Sequence, residues 1–356
     1  MRVGVAGLGR IGRMHARNLA RTVGVKEVVL IGRDGGRTAA ARADVEAALA
    51  PGAPTELAGR FAPDGEPAQV STTTEPLETA LAGVDAIVLA SATATHPALT
   101  LLAAQAGVPT LVEKPLALDL DELLSLADAI DATGTPVAVA FHRRYDPGHQ
   151  RLRELVQSGA AGQLRLLRGT GHDHLALPLD YIPQSGGMWL DMLVHDFDTI
   201  PWIAGESVTS VFATGSVLDE PAYEKYDDVD TAVAVLTLES GAMALVTGTR
   251  RNGAGQDVRL EVFGSEGTFA AGFDAAMPVT STEPGVPAPT ARYEQFIDRF
   301  EPAFRAEMAH FIRMAAGDAP NLTPPRAGVE AVRIAIAADE SRRTGAPVAL
   351  SITRTS

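Results

Sequence analysis

The chain has no cysteine among its 356 residues, which removes disulfides, thiolate-held zinc, iron–sulfur clusters and thiol nucleophiles together. Any catalysis falls to oxygen and nitrogen groups. Positive charge is scarce: 30 Lys and Arg stand against 44 Asp and Glu, a formal charge of −14, and no long basic run occurs. Phosphate-backbone binding then lacks its electrostatic basis, and nucleic acid is not expected as a partner. No apolar stretch approaches the ~20 residues of a membrane span. Glycines and arginines interrupt the N-terminal MRVGVAGLGRIGR before a signal-peptide core could form. A cytoplasmic protein without membrane contact is the expectation, with length enough for two domains.

What is present in the first 145 residues is a series of apolar runs, RVGVAG, KEVVLIG, DAIVLAS, TLVEK and PVAVAFH, separated by helix-like segments. Such continuous runs suit a parallel sheet covered on both faces. The Ala- and Leu-rich stretches 97–106 and 119–131 read as covering helices, the second opened by Asp119 and Asp121 as cap and dipole partners. Residues 51–69, rich in Pro and Gly, read as a surface excursion.

The first run leads straight into Gly7-Leu8-Gly9-Arg10-Ile11-Gly12 and then a helix-compatible MHARNLART. Strand before, helix after and a second strand ending about 20 residues on are the context that a dinucleotide-binding G-x-G-x-x-G requires. Gly7 permits the turn, Gly9 lets backbone approach a pyrophosphate, and Gly12 lets helix and strand pack closely. At the ribose position the chain reads Ile31-Gly32-Arg33-Asp34. Arg33, with Arg10 and Arg37 nearby in sequence, suits the 2′-phosphate of NADP, whereas Asp34 could accept from the free 2′-hydroxyl of NAD. The arginine tips the expectation to NADP.

Beyond residue 150 the pattern changes. Segments 163–170, 207–217, 230–239, 242–250 and 257–264 are strand-like and joined by turn residues, and helices are expected over 293–316 and 325–343. The fold class expected is an α/β Rossmann domain over 1–125, followed over 126–356 by an α+β domain with a large, mostly antiparallel open sheet. The helix at about 325–343 could pack back on the first domain. Open faces such as TAVAVLTL point to a homodimer or homotetramer.

One helix, GMWLDMLVHDFDTIPWIAG, is expected to interrupt the second half. Its Asp191 and His195 are spaced i, i+4 and would share a face, with Asp196 and Asp198 on the solvated or domain-facing side. His172 and His174 alternate as on a strand, and with Asp173, Asp191 and His195 could compose a nitrogen–oxygen metal set. A nicotinamide enzyme with a lysine available does not need a Lewis acid, so no metal is expected. That lysine stands in LVEKPLAL, where a buried-strand pattern ends abruptly in Glu113-Lys114-Pro115.

Taken together, GLGRIG at 7–12, EKP at 113–115, RRYDPG at 143–148 and the D-x-x-x-H of Asp191 and His195 resemble the Gfo/Idh/MocA oxidoreductases, and within them the inositol 2-dehydrogenases. The resemblance spans nearly the whole chain. It implies that Lys114 sits at the carboxyl end of a parallel strand beside the nicotinamide, with Pro115 after a cis bond. It also implies that His195 is the acid/base, that Asp191 bonds His195 and substrate, and that His172 contacts substrate. Arg144 and Tyr145 would shape the pocket, and Ile11, His96 and Glu113 would join the cofactor contacts. In the stretch RFEPAFRAEM, Phe304 stands where the resemblance puts a substrate-contacting tyrosine, which weakens the case for myo-inositol itself. The implied activity is NAD(P)-dependent oxidation of a ring hydroxyl of a polyol or sugar. A keto-sugar reductase and a non-catalytic dinucleotide-binding regulator are the alternatives.

Overall fold

The computed structural model describes residues 1–50 and 66–351. Two compact units emerge, one of Met1–His142 with Glu301–Val329, the other of Arg143–Phe300 with Glu330–Ser356.

In the first unit, β1 (Arg2–Ala6), β2 (Glu27–Ile31), β3 (Gln69–Thr73), β4 (Ala86–Leu89), β5 (Thr110–Val112) and β6 (Val137–Val139) form a parallel sheet in the order β3-β2-β1-β4-β5-β6. Val3, Val5, Val28, Leu30, Ile87, Leu89 and Leu111 are all buried, which is why these strands read as unbroken apolar runs. Helix α1 (Arg10–Ala20) follows β1, and α2 (Gly35–Leu49) follows β2. The helix Leu120–Asp131 is capped by Asp119, whose side chain accepts from the Glu122 amide. Of the Pro- and Gly-rich stretch 51–69, residues 51–65 lie outside the described residues.

The boundary expected at 125 falls inside Leu120–Asp131, whose Leu123, Leu126, Ala127 and Ile130 are buried, and the sheet continues beyond it through β6. The chain also returns to this unit through the helix Phe296–Ala315. That helix breaks at Phe300, where φ is −107° and ψ 15°, two residues before Pro302. Its Met308, Phe311, Ile312 and Met314 join the first unit's core.

In the second unit, β7 (Leu164–His172), β8 (Val208–Ser216), β9 (Thr231–Leu238), β10 (Met243–Thr249), β11 (Asp257–Gly264), β12 (Thr268–Ala271) and β13 (Val348–Ala349) run β12-β11-β7-β10-β9-β8-β13. All neighbours are antiparallel except β7 and β10. The short β12 and β13 were not anticipated, since four and two residues carry too little alternation to read. On β9, Ala232, Ala234, Leu236 and Leu238 are buried, while Val233 on the other face is exposed, as are Phe212 of β8 and Met243 of β10.

The single helix expected over 187–205 is two elements. Met188–Met192 forms a π turn, in which the Leu193 amide donates to the Met188 carbonyl at 3.0 Å, and α3 (Val194–Ala204) follows. The i, i+4 argument for Asp191 and His195 therefore does not apply, because the turn carrying Asp191 is wider than an α-helix. Among the described residues no helix is long and apolar enough to cross a membrane.

Candidate active site

Sheet order in the first unit reverses between β1 and β4, and open α/β sheets bind ligands outside the carboxyl ends of the strands at such a point. Gly7 leaves β1 there with φ +94°, and a Cβ on it would lie 2.3 Å from the Ala90 carbonyl carbon just beyond β4. A Cβ on Gly12 would meet the Gly7 carbonyl oxygen at 1.8 Å, so α1 packs on the strand end only with glycine. A Cβ on Gly9, by contrast, would meet nothing within 4 Å. That opening, backed by the first-turn amides of α1, fits a dinucleotide pyrophosphate. Arg10, exposed, and Ile11, half-buried, begin α1 beside it.

At the end of β2, Arg33 is exposed and Asp34 is the N-cap of α2, with Oδ1 accepting from the Arg37 amide at 2.8 Å. His96 is fully buried, its Nδ1 2.9 Å from the Pro115 carbonyl oxygen and its Nε2 3.1 Å from that of Ser91. It ties the segment after β4 to the proline turn.

The abrupt end of LVEKPLAL now has a physical account. The Glu113 amide still donates to Leu89 at 2.9 Å, the last rung beside β4, and the next peptide bond, Lys114–Pro115, is cis. Lys114 thus stands at the carboxyl end of β5. Glu113 is not stranded: its Oε1 lies 2.7 Å from Nε2 of His15, a fully buried residue of α1. Burial would raise the Glu113 pKa, but the His15 hydrogen bond and charge, with Lys114 and His96, bring it below the ordinary carboxylate value.

Glu307, in the helix Phe296–Ala315, is also fully buried, and burial together with Glu113 pushes it well above the ordinary value. Neither His15 nor Glu307 was singled out from sequence, since no motif marks them. Phe304 is buried, stacked on His142 at 4.4 Å between ring centroids and edge-on to His15 at 6.0 Å.

In the second unit, Asp191 accepts through Oδ2 from Nη1 of Arg250 at 2.8 Å. Arg250 follows β10 and is 2% exposed. Its role was missed because a lone arginine at a strand end carries no pattern. His195 is half-buried in the first turn of α3, its carbonyl accepting from the Thr199 hydroxyl at 2.6 Å. His172, at the end of β7, has Nε2 3.2 Å from the Thr247 hydroxyl. Burial lowers its pKa, with Asp257 opposing, so the ring is neutral near pH 7.

His174 is engaged elsewhere, with Nδ1 2.9 Å from the Asn252 carbonyl and Nε2 3.0 Å from Glu294. Among the described residues no three His, Asp or Glu gather as a metal-holding group.

Asp196 and Asp198 correct an expectation. They are buried, not solvated, and pair with Arg143 at 2.9 Å and Arg144 at 2.7 Å. Arg144 and Tyr145, expected to shape a pocket, lie in the turn His142–Tyr145, with the Arg144 guanidinium clamped on Asp198 by Nε and Nη2 and the Tyr145 side chain buried.

Residues 1–141 match the oxidoreductase family with an NAD-binding Rossmann fold, and residues 149–270 match the GFO/IDH/MocA C-terminal domain. The chain belongs to the Gfo/Idh/MocA oxidoreductases. It shares 33% identity with a myo-inositol dehydrogenase of Streptomyces leeuwenhoekii, over 98% of this chain and 100% of that one. With the scyllo-inositol 2-dehydrogenase (NAD(+)) of Bacillus subtilis it shares 30%, over 99% and 97%. The crystal structure of a myo-inositol dehydrogenase from Corynebacterium glutamicum superposes with a TM-score of 0.81 at 27% identity, over 99% of both chains. As a family member the protein is an oxidoreductase acting on CH–OH groups, which sets aside the non-catalytic regulator.

Proposed function

We propose that the protein oxidises a ring hydroxyl of an inositol-like polyol, and that Lys114, Asp191 and His195 carry the reaction. The observation that carries this reading is the placement of Lys114 at the carboxyl end of β5, beside the strand whose end is packed against the glycine turn. A cation there suits an oxygen gaining negative charge. Relatives named for inositols along almost the whole chain support the substrate class.

The bound nicotinamide supplies the hydride acceptor. The substrate hydroxyl gives its proton to an imidazole nitrogen of His195 as the C–H electron pair departs as hydride and the carbonyl forms. The Lys114 ammonium donates toward the developing alkoxide. Asp191 orients the substrate hydroxyls and the imidazole, and neutral His172 offers a further hydrogen bond. Glu113 keeps the Lys114 turn anchored to α1 through His15.

For the cofactor, NADP is taken as the tighter ligand. Asp34 already spends one oxygen capping α2, which weakens it as a ribose acceptor, while Arg33 stands exposed one residue beyond the strand-end glycine. A charge-assisted hydrogen bond to the 2′-phosphate is worth roughly 1.5 to 3 kcal/mol. Arg33→Ala should therefore weaken NADP about 10- to 100-fold and leave NAD unchanged. Tighter binding of NAD, with NADP indifferent to Arg33→Ala, makes Asp34 the reader instead.

The exposed face carrying Phe212, Val233 and Met243 supports self-association through the open sheet. Light scattering should report a dimer or tetramer. A panel of inositol stereoisomers, aldoses and keto-sugars, followed by nicotinamide absorbance with both nucleotides, tests the function. Oxidation of inositols is expected, and reduction of keto-sugars without it would make the enzyme a reductase.

A further inference from the structure

Asp191 is held within its own unit by two groups that no sequence motif announces. The Met188 amide, which opens the π turn, donates to Oδ1 of Asp228 at 2.9 Å, and this fixes the backbone that carries Asp191. The Asp191 carboxylate itself receives Nη1 of Arg250 at 2.8 Å. Arg250 is anchored by its own amide, which donates to the Asp230 carbonyl at 2.8 Å. Its side chain is fully buried, and its Nε and Nη2 make no hydrogen bond to the described residues. An arginine carries five N–H donors. This one gives its side-chain bond to a single carboxylate.

We propose, resting on the role given to Asp191 above, that Arg250 is a positioning residue: it locks the Asp191 carboxylate in one orientation and keeps it ionised through the working pH range. The groups facing the guanidinium favour this. Burial alone would lower the Arg250 pKa, but Asp191, Asp173 and Asp228 raise it, so the charge persists. Tyr223, buried nearby, is pushed up to about 12, mainly by burial, and stays a neutral hydroxyl. Without its cation, a mostly buried Asp191 would take up a proton at higher pH. A protonated or turned carboxyl would no longer accept from the substrate in the reacting geometry.

The test uses the full-length protein and whichever polyol or sugar the parent turns over best. Failure on inositols would then count against the substrate class alone. Arg250→Met should lower kcat roughly 100-fold and move the acid limb of its pH profile up by about 1 to 3 units, with the dissociation constant for NAD(P) unchanged by fluorescence titration. Arg250→Lys restores the charge but not the planar fork, so the limb should return while kcat stays reduced. The double variant Asp191→Asn with Arg250→Met should be no slower than Asp191→Asn alone, because Arg250 acts through Asp191. If Arg250→Met does not fold, Arg250→Lys and the charge-balanced double variant carry the test. An acid limb that stays in place in Arg250→Met, parental kcat in Arg250→Lys, or losses that multiply in the double variant would overturn the proposal and leave Arg250 a structural residue.

Discussion

The two units hold their assigned groups by different means. In the first, backbone does the placing: the Gly7 turn, the exit of β5 and the cap of α2 put Gly9, Lys114 and Arg33 where they are. In the second, side chains remote in sequence do it: Arg250 on Asp191, Arg143 on Asp196 and Arg144 on Asp198. Backbone placement leaves a local signature, since only glycine tolerates the turn and only a proline breaks the strand so sharply. Placement by distant ion pairs leaves none, because each partner alone looks like an ordinary charged residue.

The sharpest way to probe the comparison is to remove the chemistry from each unit in turn. Lys114→Ala and His195→Ala should each lower kcat by about 100- to 10,000-fold, the usual worth of a positioned acid/base or cation. The melting temperature should barely move for Lys114→Ala, whose backbone is held independently by Glu113 and Leu89. Near-parental turnover in either variant sinks the roles given to them.

The next effect is on stability and belongs to the second unit. Asp198→Asn leaves the Arg144 guanidinium without its carboxylate in a buried setting, which costs up to about 3 to 5 kcal/mol for a broken buried pair. The short distance overstates the attraction: burial raises the Asp198 pKa despite Arg144, so the lower end is expected. Urea denaturation should show the loss with unchanged m. A stability loss well under 1 kcal/mol would mean that the pair contributes orientation rather than stability.

Much of the architecture was legible. Strands at 164–172, 208–216, 231–238, 243–249 and 257–264 fall within a residue or two of expectation, because alternation and turn residues are local properties. The π turn was not legible, and the side chain that ties down its first amide, Asp228 on Met188, comes from 40 residues away. Nor was the pairing of Asp196 and Asp198, which read as a solvated or domain-facing side, because their arginines lie more than 50 residues earlier. The unit boundary was misread at 125 for a related reason: strand β6 belongs to the sheet through pairing with β5, which composition does not record.

The smallest effect sharpens the comparison from the first unit's side, where two carboxyls sit close together by tertiary packing and not by motif. Glu307 has its pKa raised well above the ordinary value by burial and by Glu113, so the folded state keeps it protonated while the unfolded chain ionises at the ordinary value. Between those two values the unfolded state holds fewer protons, and stability falls as pH rises, by at most about 1.4 kcal/mol per pH unit. Glu113 is shifted the other way, so its contribution is present above the ordinary carboxylate value and is lost as pH falls. Glu307→Gln keeps the shape, removes the titration and should flatten the decline on the alkaline side of the ordinary value without touching the acid side. Glu113→Gln should do the reverse and weaken the link to His15. Chemical denaturation at several pH values separates the two. If Glu307→Gln shows the parental slope, the carboxyl is already ionised in the folded protein, and the first unit then holds a second buried carboxylate charge beside that of Glu113.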